Sequence, residues 1–205
     1  DQVVVRLLGP ARGLLSGERV ALNFLQLLSG VASKTQTYCQ AVFGSQVAIV
    51  DTRKTLPGLR MAQKYAVAVG GGVNHRIGLF DAILIKENHI AAAGGVREAL
   101  AQAQLVAQAD STDTLKFVQI EVENLDQLAL ALQAGANMVL LDNMDLATLR
   151  QAVDMNAGRA VFEVSGSVTF ERLAELAATG VNRISIGGLT KDVRAMDYSM
   201  RFQVT

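Results

Sequence analysis

From residue 47 onward, apolar positions fall into short runs of strand length separated by longer stretches with helical spacing. The runs cover 47–50, 82–85, 117–122, 138–141, 160–164 and 184–186. Between them, apolar residues three and four apart predict helices over 57–69, 96–108, 126–134, 146–156 and 170–179. Asn124, with Gln127 three residues on, predicts an N-cap pair. Thr169 predicts a cap for the helix that closes at Gly180, and Gly135 ends its own helix in the same way. Strands in the second half begin about every 20 residues, the length of one β-α unit. Six such units with near-continuous apolar strands mean a parallel sheet covered by helices. No Gly-x-Gly-x-x-Gly follows the first strand, so an α/β barrel, open or incomplete, fits better than a doubly wound sheet.

The first quarter of the chain reads differently. Val20, Leu22, Leu25, Leu28, Val31 and Ala32 recur at helical spacing, which predicts one or two helices over 16–43 with a break at Ser29-Gly30. Val3-Val4-Val5 has the look of a closing strand that Gly9-Pro10 would end. A domain does not comfortably begin this way, so an upstream piece is expected. The division that follows is a helical segment, 1–43, before a barrel domain, 44–205.

Composition narrows the class. Half of the 205 residues are hydrophobic and the formal net charge is zero, which suits one domain with a large core and excludes disorder. No run reaches the roughly 18 apolar residues of a membrane span, and the start lacks the charged leader of a signal peptide. The single cysteine, Cys39, rules out an internal disulfide framework and a cysteine-rich zinc site, and makes a reducing, cytoplasmic home the default. Without a basic excess, nucleic acid is not an expected partner.

Charge is nevertheless concentrated. Residues 51–90 hold both histidines and six of the 19 basic residues, against three acids. The clusters Thr52-Arg53-Lys54-Thr55, Asn74-His75-Arg76 and Lys86-Glu87-Asn88-His89 lie beside glycines and apolar runs, a layout suited to an anion pocket. Almost every predicted strand also ends in a polar residue: Asp51, Lys86, Glu121 with Glu123, Asp142, Ser165 and Gly187. Taken singly, such a residue is as often a turn former or a helix cap. Six together point to one shared site, since barrel enzymes carry their chemistry at the C-terminal ends of the strands.

Glu121 and Asp142 suit a magnesium ion, which takes one or two carboxylates and completes its shell with phosphates and water. They equally suit a general acid/base pair, or pairing with Lys86 or Lys54. Alternation in 119–123 places Gln119, Glu121 and Glu123 on one face, expected to be the barrel interior. Ser165-Gly166-Ser167 and Gly187-Gly188 each follow a strand and precede a helix, as phosphate turns do. Gly70-Gly71-Gly72 reads as a flexible or tightly packed connection before it reads as a phosphate loop.

The runs DTRKTLPGLR, QKYAVAVGGGVNHRIGLFDAILIKENHI and EVENLDQLALALQAGANMVLLDNM resemble the quinolinate phosphoribosyltransferase family. ERVALNFLQLLSG, SGSV and ISIGGLTKDVRAMDYSMR extend the resemblance from about Leu14 to Arg201. It implies transfer of phosphoribose from phosphoribosyl pyrophosphate (PRPP) to the ring nitrogen of quinolinate, with magnesium and loss of carbon dioxide, in NAD biosynthesis. It also implies no organic cofactor. Arg53, His75, Arg76 and Lys86 would hold the pyridine dicarboxylate, and Lys54 with Lys86 would face the pyrophosphate. Glu121 and Asp142 would serve the ribose and metal, and Ser165, Gly166, Gly187 and Gly188 the phosphate. Arg19 would reach the neighbouring subunit's site in a homodimer.

The resemblance further implies an N-terminal α+β domain, expected to lie outside these 205 residues or on a separate chain, and Gln119 stands where relatives often carry Glu. The other classes to weigh are a molybdenum-associated (ModD-like) protein of the same fold, a nicotinate-specific transferase, and a non-catalytic dimerising homologue. The set Arg53, His75, Arg76 and Lys86 weighs against all three.

Overall fold

The computed structural model describes residues 2–202. A single 31-residue helix, α1 (Ala11–Ala41), precedes β1 (Ala48–Val50). Then follow α2 (Arg60–Val69), β2 (Ile83–Ile85), α3 (Glu87–Ala93), α4 (Val96–Gln108), β3 (Val118–Val122) and α5 (Leu125–Gln133). The chain continues through β4 (Met138–Asp142), α6 (Leu146–Asn156), β5 (Val161–Ser165), α7 (Leu173–Ala177), β6 (Arg183–Ser185) and α8 (Gly188–Lys191).

The six strands form one all-parallel sheet in the order β1-β6-β5-β4-β3-β2. β1 and β2 are its edges, and Val73 adds a one-residue parallel bridge to Val50 on the outer side of β1. Two residues beyond that bridge, the His75 ring reaches Gln119 on β3 (2.9 Å) and Glu163 on β5 (3.5 Å). A flat sheet would keep the β1 edge far from β3. The sheet therefore curls into the open barrel that the apolar pattern predicts.

Residues paired across a parallel ladder share a face, so the register sorts the two sides. Ile49, Ile83, Ile85, Ile120, Val122, Val139, Leu141, Phe162, Val164 and Ile184 share one side and pack in the main core. Burying such a side chain contributes about 1.5–3 kcal/mol, so this helix-facing layer carries much of the stability. The opposite side holds Gln119, Glu121, Asp142, Glu163, Ser165, Arg183 and Ser185 and is far more polar. Gln119 and Glu121 thus share the interior face, as alternation predicts.

Several local expectations change. Gly30 does not break α1, because the C-terminal segment crosses it: a Cβ there would lie 2.1 Å from the Arg194 carbonyl oxygen. Val3-Val4-Val5 forms no strand; its side chains are exposed and its backbone has no ladder partner among the described residues. Thr169 makes no side-chain cap bond, and the predicted helix opens as a 3-10 turn, Phe170–Arg172. The short helix α3 was not anticipated by periodicity. By contrast, Asn124 Oδ1 accepts from Gln127 N–H at 2.9 Å, as its spacing predicts. The 70–72 glycines are a close crossing, where a Cβ on Gly70 would meet the Ala32 carbonyl oxygen at 2.3 Å.

Candidate active site

Parallel strands put all six C-terminal ends on one rim. Around it stand Asp51 through Lys54 after β1, Asn74 through Arg76 after the Val73 bridge, and Lys86 after β2. Glu121 on β3 and Asp142 at the end of β4 come next, then Ser165-Gly166 and Gly187-Gly188 after β5 and β6.

Lys86 and Glu121 are joined directly: the ammonium donates to both carboxylate oxygens, at 3.0 and 2.8 Å. Asp142 pairs in register with Ser165, and its Oδ2 accepts from Asn143 Nδ2 at 2.8 Å. Asn143 is a site residue that the pattern did not reveal. It adopts φ 53°, its N–H donates to the Ser165 carbonyl at 3.1 Å, and its amide lies over the next turn. A Cβ on Gly166, at φ 90°, would sit 2.0 Å from Asn143 Oδ1, so this turn requires glycine.

On the far side of the rim, the Lys54 side chain lies across Gly187, whose Cβ would meet Lys54 Cδ at 3.2 Å. Thr190 Oγ1 donates to the Lys54 carbonyl (2.8 Å), and buried Gln63 Nε2 donates to the Thr190 carbonyl (2.7 Å). The β1 and β6 exits are thereby locked together, which sets a cation beside the glycine turn.

Arg53 and Arg76 face each other's charge. Burial, and then the Arg53 guanidinium, push Arg76 below its usual range, with Asp81 pulling the other way. A guanidinium that feels a second cation as well as Asp81 has charge to share with an anion. Arg76 Nη1 donates to the Ala82 carbonyl at 3.2 Å, leaving the rest of its fork available.

His75 is built differently from the expectation of a group open to a ligand. Its Nδ1 accepts from the Arg76 N–H (2.8 Å), which leaves Nε2 protonated and donating to Gln119 Oε1 (2.9 Å). Burial pushes its pKa down, partly offset by Glu163 and Gln119, so the ring is neutral at pH 7. Beneath it, Glu163 accepts from Arg183 Nε at 3.0 Å, while Gln119 Nε2, Glu163 Oε1 and Arg183 Nη2 are buried and make no hydrogen bond among the described residues. Sequence reasoning missed Glu163 and Arg183, because their pairing spans two strands.

Arg19 is not brought to this rim. It is exposed on the first half of α1, its ion-pair partner among the described residues being Glu18 at 4.0 Å, and roughly 16 Å of helix before Gly30. Lys64 was also missed. It occupies the buried stripe of α2 beside Gln63, Ala66 and Val67, and a lysine in such a stripe signals a buried partner. That partner is Asp51. Burial pushes the Asp51 carboxyl up and the Lys64 ammonium down, and each is drawn back by the other. His89 is a helix-start residue, its Nδ1 accepting from the Lys86 N–H at 2.9 Å.

Known proteins share the sequence and the fold of this chain. Residues 31–201 match the family model described as quinolinate phosphoribosyl transferase, C-terminal domain. A probable nicotinate-nucleotide pyrophosphorylase [carboxylating] of Bacillus subtilis is 45% identical over 199 residues, 97% of this chain and 67% of that protein. Its Mycobacterium leprae counterpart is 44% identical over 193 residues, 93% of this chain and 66% of that protein. The solved structure of NadC from Streptococcus pyogenes superposes with a TM-score of 0.88 at 44% identity, over 95% of this chain and 66% of that one. The chain thus spans about two thirds of the length of these relatives. With five-sixths of its length inside one family model, the chain belongs to the quinolinate phosphoribosyltransferase family, in the part of it described as the C-terminal domain.

Proposed function

We propose that this chain carries the active site of a quinolinate phosphoribosyltransferase, joining quinolinate to PRPP with release of pyrophosphate and carbon dioxide in NAD biosynthesis. The observation that carries the reading is the rim itself. Arg53, Lys54, Arg76 and Lys86 follow the exits of β1, the Val73 bridge and β2 on the rim that also carries Glu121 and Asp142, with Lys86 paired to Glu121. A dicarboxylate and a polyphosphate donor together demand such cations, because guanidinium and ammonium groups bind these anions by charge-assisted hydrogen bonds.

Arg53 and Arg76 take the pyridine carboxylates, and Lys54, over the Gly187 turn, meets the phosphates. The Ser165-Gly166 turn offers a second close backbone approach. As pyrophosphate leaves, positive charge develops on the ribose, where Glu121 and Asp142 supply fixed negative charge. The ribosylated ring nitrogen is cationic, so it stabilises the electron pair left on the adjacent ring carbon as the carboxylate departs as carbon dioxide, and a proton from solvent then takes the carboxylate's place on that carbon.

The donor set suits magnesium only in part. Asp142 has one oxygen held by Asn143, while both Glu121 oxygens are held by Lys86. Asp142, with substrate phosphates and water, fits the ion's preference for few carboxylates. Magnesium bound there would neutralise the leaving pyrophosphate.

The same reading makes the protein a homodimer that shares its sites through Arg19. The exposed apolar side chains Leu15, Val20, Phe24 and Leu25 on α1 support a helix-borne contact. No helix among the described residues is long and apolar enough to cross a membrane. The lone Cys39 supports a reducing, cytoplasmic setting.

The direct test is release of carbon dioxide from carboxyl-labelled quinolinate in the presence of PRPP and magnesium. Donor-dependent, magnesium-dependent release is expected. Binding of quinolinate without release would place part of the catalytic apparatus outside this chain, and neither binding nor release would overturn the reading.

A further inference from the structure

Two buried charges from different elements converge on one peptide of the cationic rim. Asp51 is fully buried at the end of β1, and the Lys64 side chain, from the middle of α2, is 2% exposed. The His75 N–H donates to Asp51 Oδ1 at 2.8 Å. Lys64 Nζ donates to the His75 carbonyl at 2.9 Å and to the same Asp51 oxygen. His75 belongs to no strand or helix, so these two side chains do for its peptide what a ladder does elsewhere. One residue on, the Arg76 N–H folds back onto His75 Nδ1. The backbone that aims Arg76 is therefore located by an ion pair.

A buried ion pair is a poor way to gain stability, since well-packed apolar residues of similar volume serve as well or better. Its position under the rim gives it another use. We propose that Asp51 and Lys64 are positioning residues for the dicarboxylate clamp: they fix the His75 peptide, and so the direction of Arg76, without touching substrate. This rests on the reading of Arg76 as a carboxylate ligand. The neighbouring residue on α2 serves the other half of the site, because Gln63 reaches Thr190 and through it the Lys54 backbone. Adjacent positions of one helix thus support the acceptor and donor sides separately.

The test compares wild type with Lys64→Met and Gln63→Met in steady-state kinetics, alongside amide hydrogen exchange over residues 73–77 without substrate. Lys64→Met should raise the KM for quinolinate about ten- to a hundredfold, as misplacement of a clamp does, with the KM for PRPP nearly unchanged. Exchange over 73–77 should accelerate. Gln63→Met should show the opposite split. Equal rises in both KM values for Lys64→Met would reveal a merely structural role, and unchanged exchange in a folded variant would overturn the proposal. Should Lys64→Met not fold, Asp51→Asn/Lys64→Met removes both charges together and carries the same expectation. Exchange needs no substrate, so it decides whether Asp51 and Lys64 fix the His75 peptide even if wild type turns over no quinolinate, a result that would sink the functional reading instead.

Discussion

Lys86 at the exit of β2 and Glu121 on β3 form a two-pronged ion pair across the rim, at 3.0 and 2.8 Å. The lysine side chain is 44% exposed and the glutamate 11%, so the pair is held from the acid's side and open to ligand from the base's. Both substrates of the proposed reaction bring negative charge to this place. Their arrival must draw Lys86 away from Glu121 or share it.

That relationship predicts energetic coupling. Lys86→Met and Glu121→Gln should each lower kcat/KM, and the double variant should lose less than the sum of the two. Contacting charged residues couple by about 0.5–3 kcal/mol. A double-mutant cycle on kcat/KM checks this, and strict additivity would mean that the two act on separate events.

The turn after Arg76 depends on Asp81. Its carboxylate accepts from the Ile77 N–H (3.0 and 2.9 Å) and the Gly78 N–H (2.9 Å) and pairs with Lys116 (3.3 Å). Burial alone would raise its pKa, but these bonds outweigh it and hold the group below its ordinary 3.8. A carboxyl depressed in the folded state stabilises fully above its unfolded value and loses that stabilisation as pH falls through the folded one. Asp81→Asn should therefore cost about 1–3 kcal/mol at neutral pH. The gap to wild type should shrink below pH 3.8. Urea unfolding midpoints at about pH 7 and about pH 3 test it, and an equal gap at both would be the wrong answer.

His75 should titrate below its ordinary 6.5, because burial disfavours the imidazolium more than Glu163 and Gln119 favour it; Arg183 and Lys64 act in the same direction as burial. The unfolded chain then takes the proton first, so the contribution of His75 to stability is complete above 6.5 and declines as pH falls below it. Ring nitrogen NMR should show the Nε2–H tautomer throughout the neutral range. A titration at or above 6.5, or a protonated Nδ1, would contradict the hydrogen bonds that join it to Arg76 and Gln119.

Two glycines of α1 should respond oppositely to alanine. At Gly17 a Cβ meets nothing within 4 Å, so Gly17→Ala should stabilise by up to about 1 kcal/mol through helix propensity. At Gly30 the new methyl would strike the Arg194 carbonyl oxygen, at 2.1 Å. Gly30→Ala should cost about 1–3 kcal/mol, as overpacking does. Thermal unfolding of the two variants decides it, and a shift of the same sign in both would refute the crossing as the reason for Gly30.

Much of the fold was legible because a strand buried on both faces writes itself as an apolar run. All six predicted strands exist, with ends shifted by a residue at most. The helices 96–108 and 146–156 match in both bounds. The rim was legible for a related reason: a parallel sheet sends every strand exit to one end, so Lys86, Glu121 and Asp142 had to lie at the same end of the sheet once the strands were known. Gly30 misled because a glycine inside a helical pattern reads as a break, and only the crossing segment shows that it is a contact.

What the sequence determined by itself, then, is the order of elements, the parallel sheet and the set of charges at one end of it. Tertiary structure decided which charges are paired. Asp51 finds Lys64, Glu163 finds Arg183, and the His75 ring is used up by Gln119 and the Arg76 amide. Periodicity reports which face of an element is turned inward, and it does so residue by residue along one strand or helix. A buried charge is tolerated only when a partner on another element reaches it, and that meeting depends on the curl of the sheet and on how the helices pack against it.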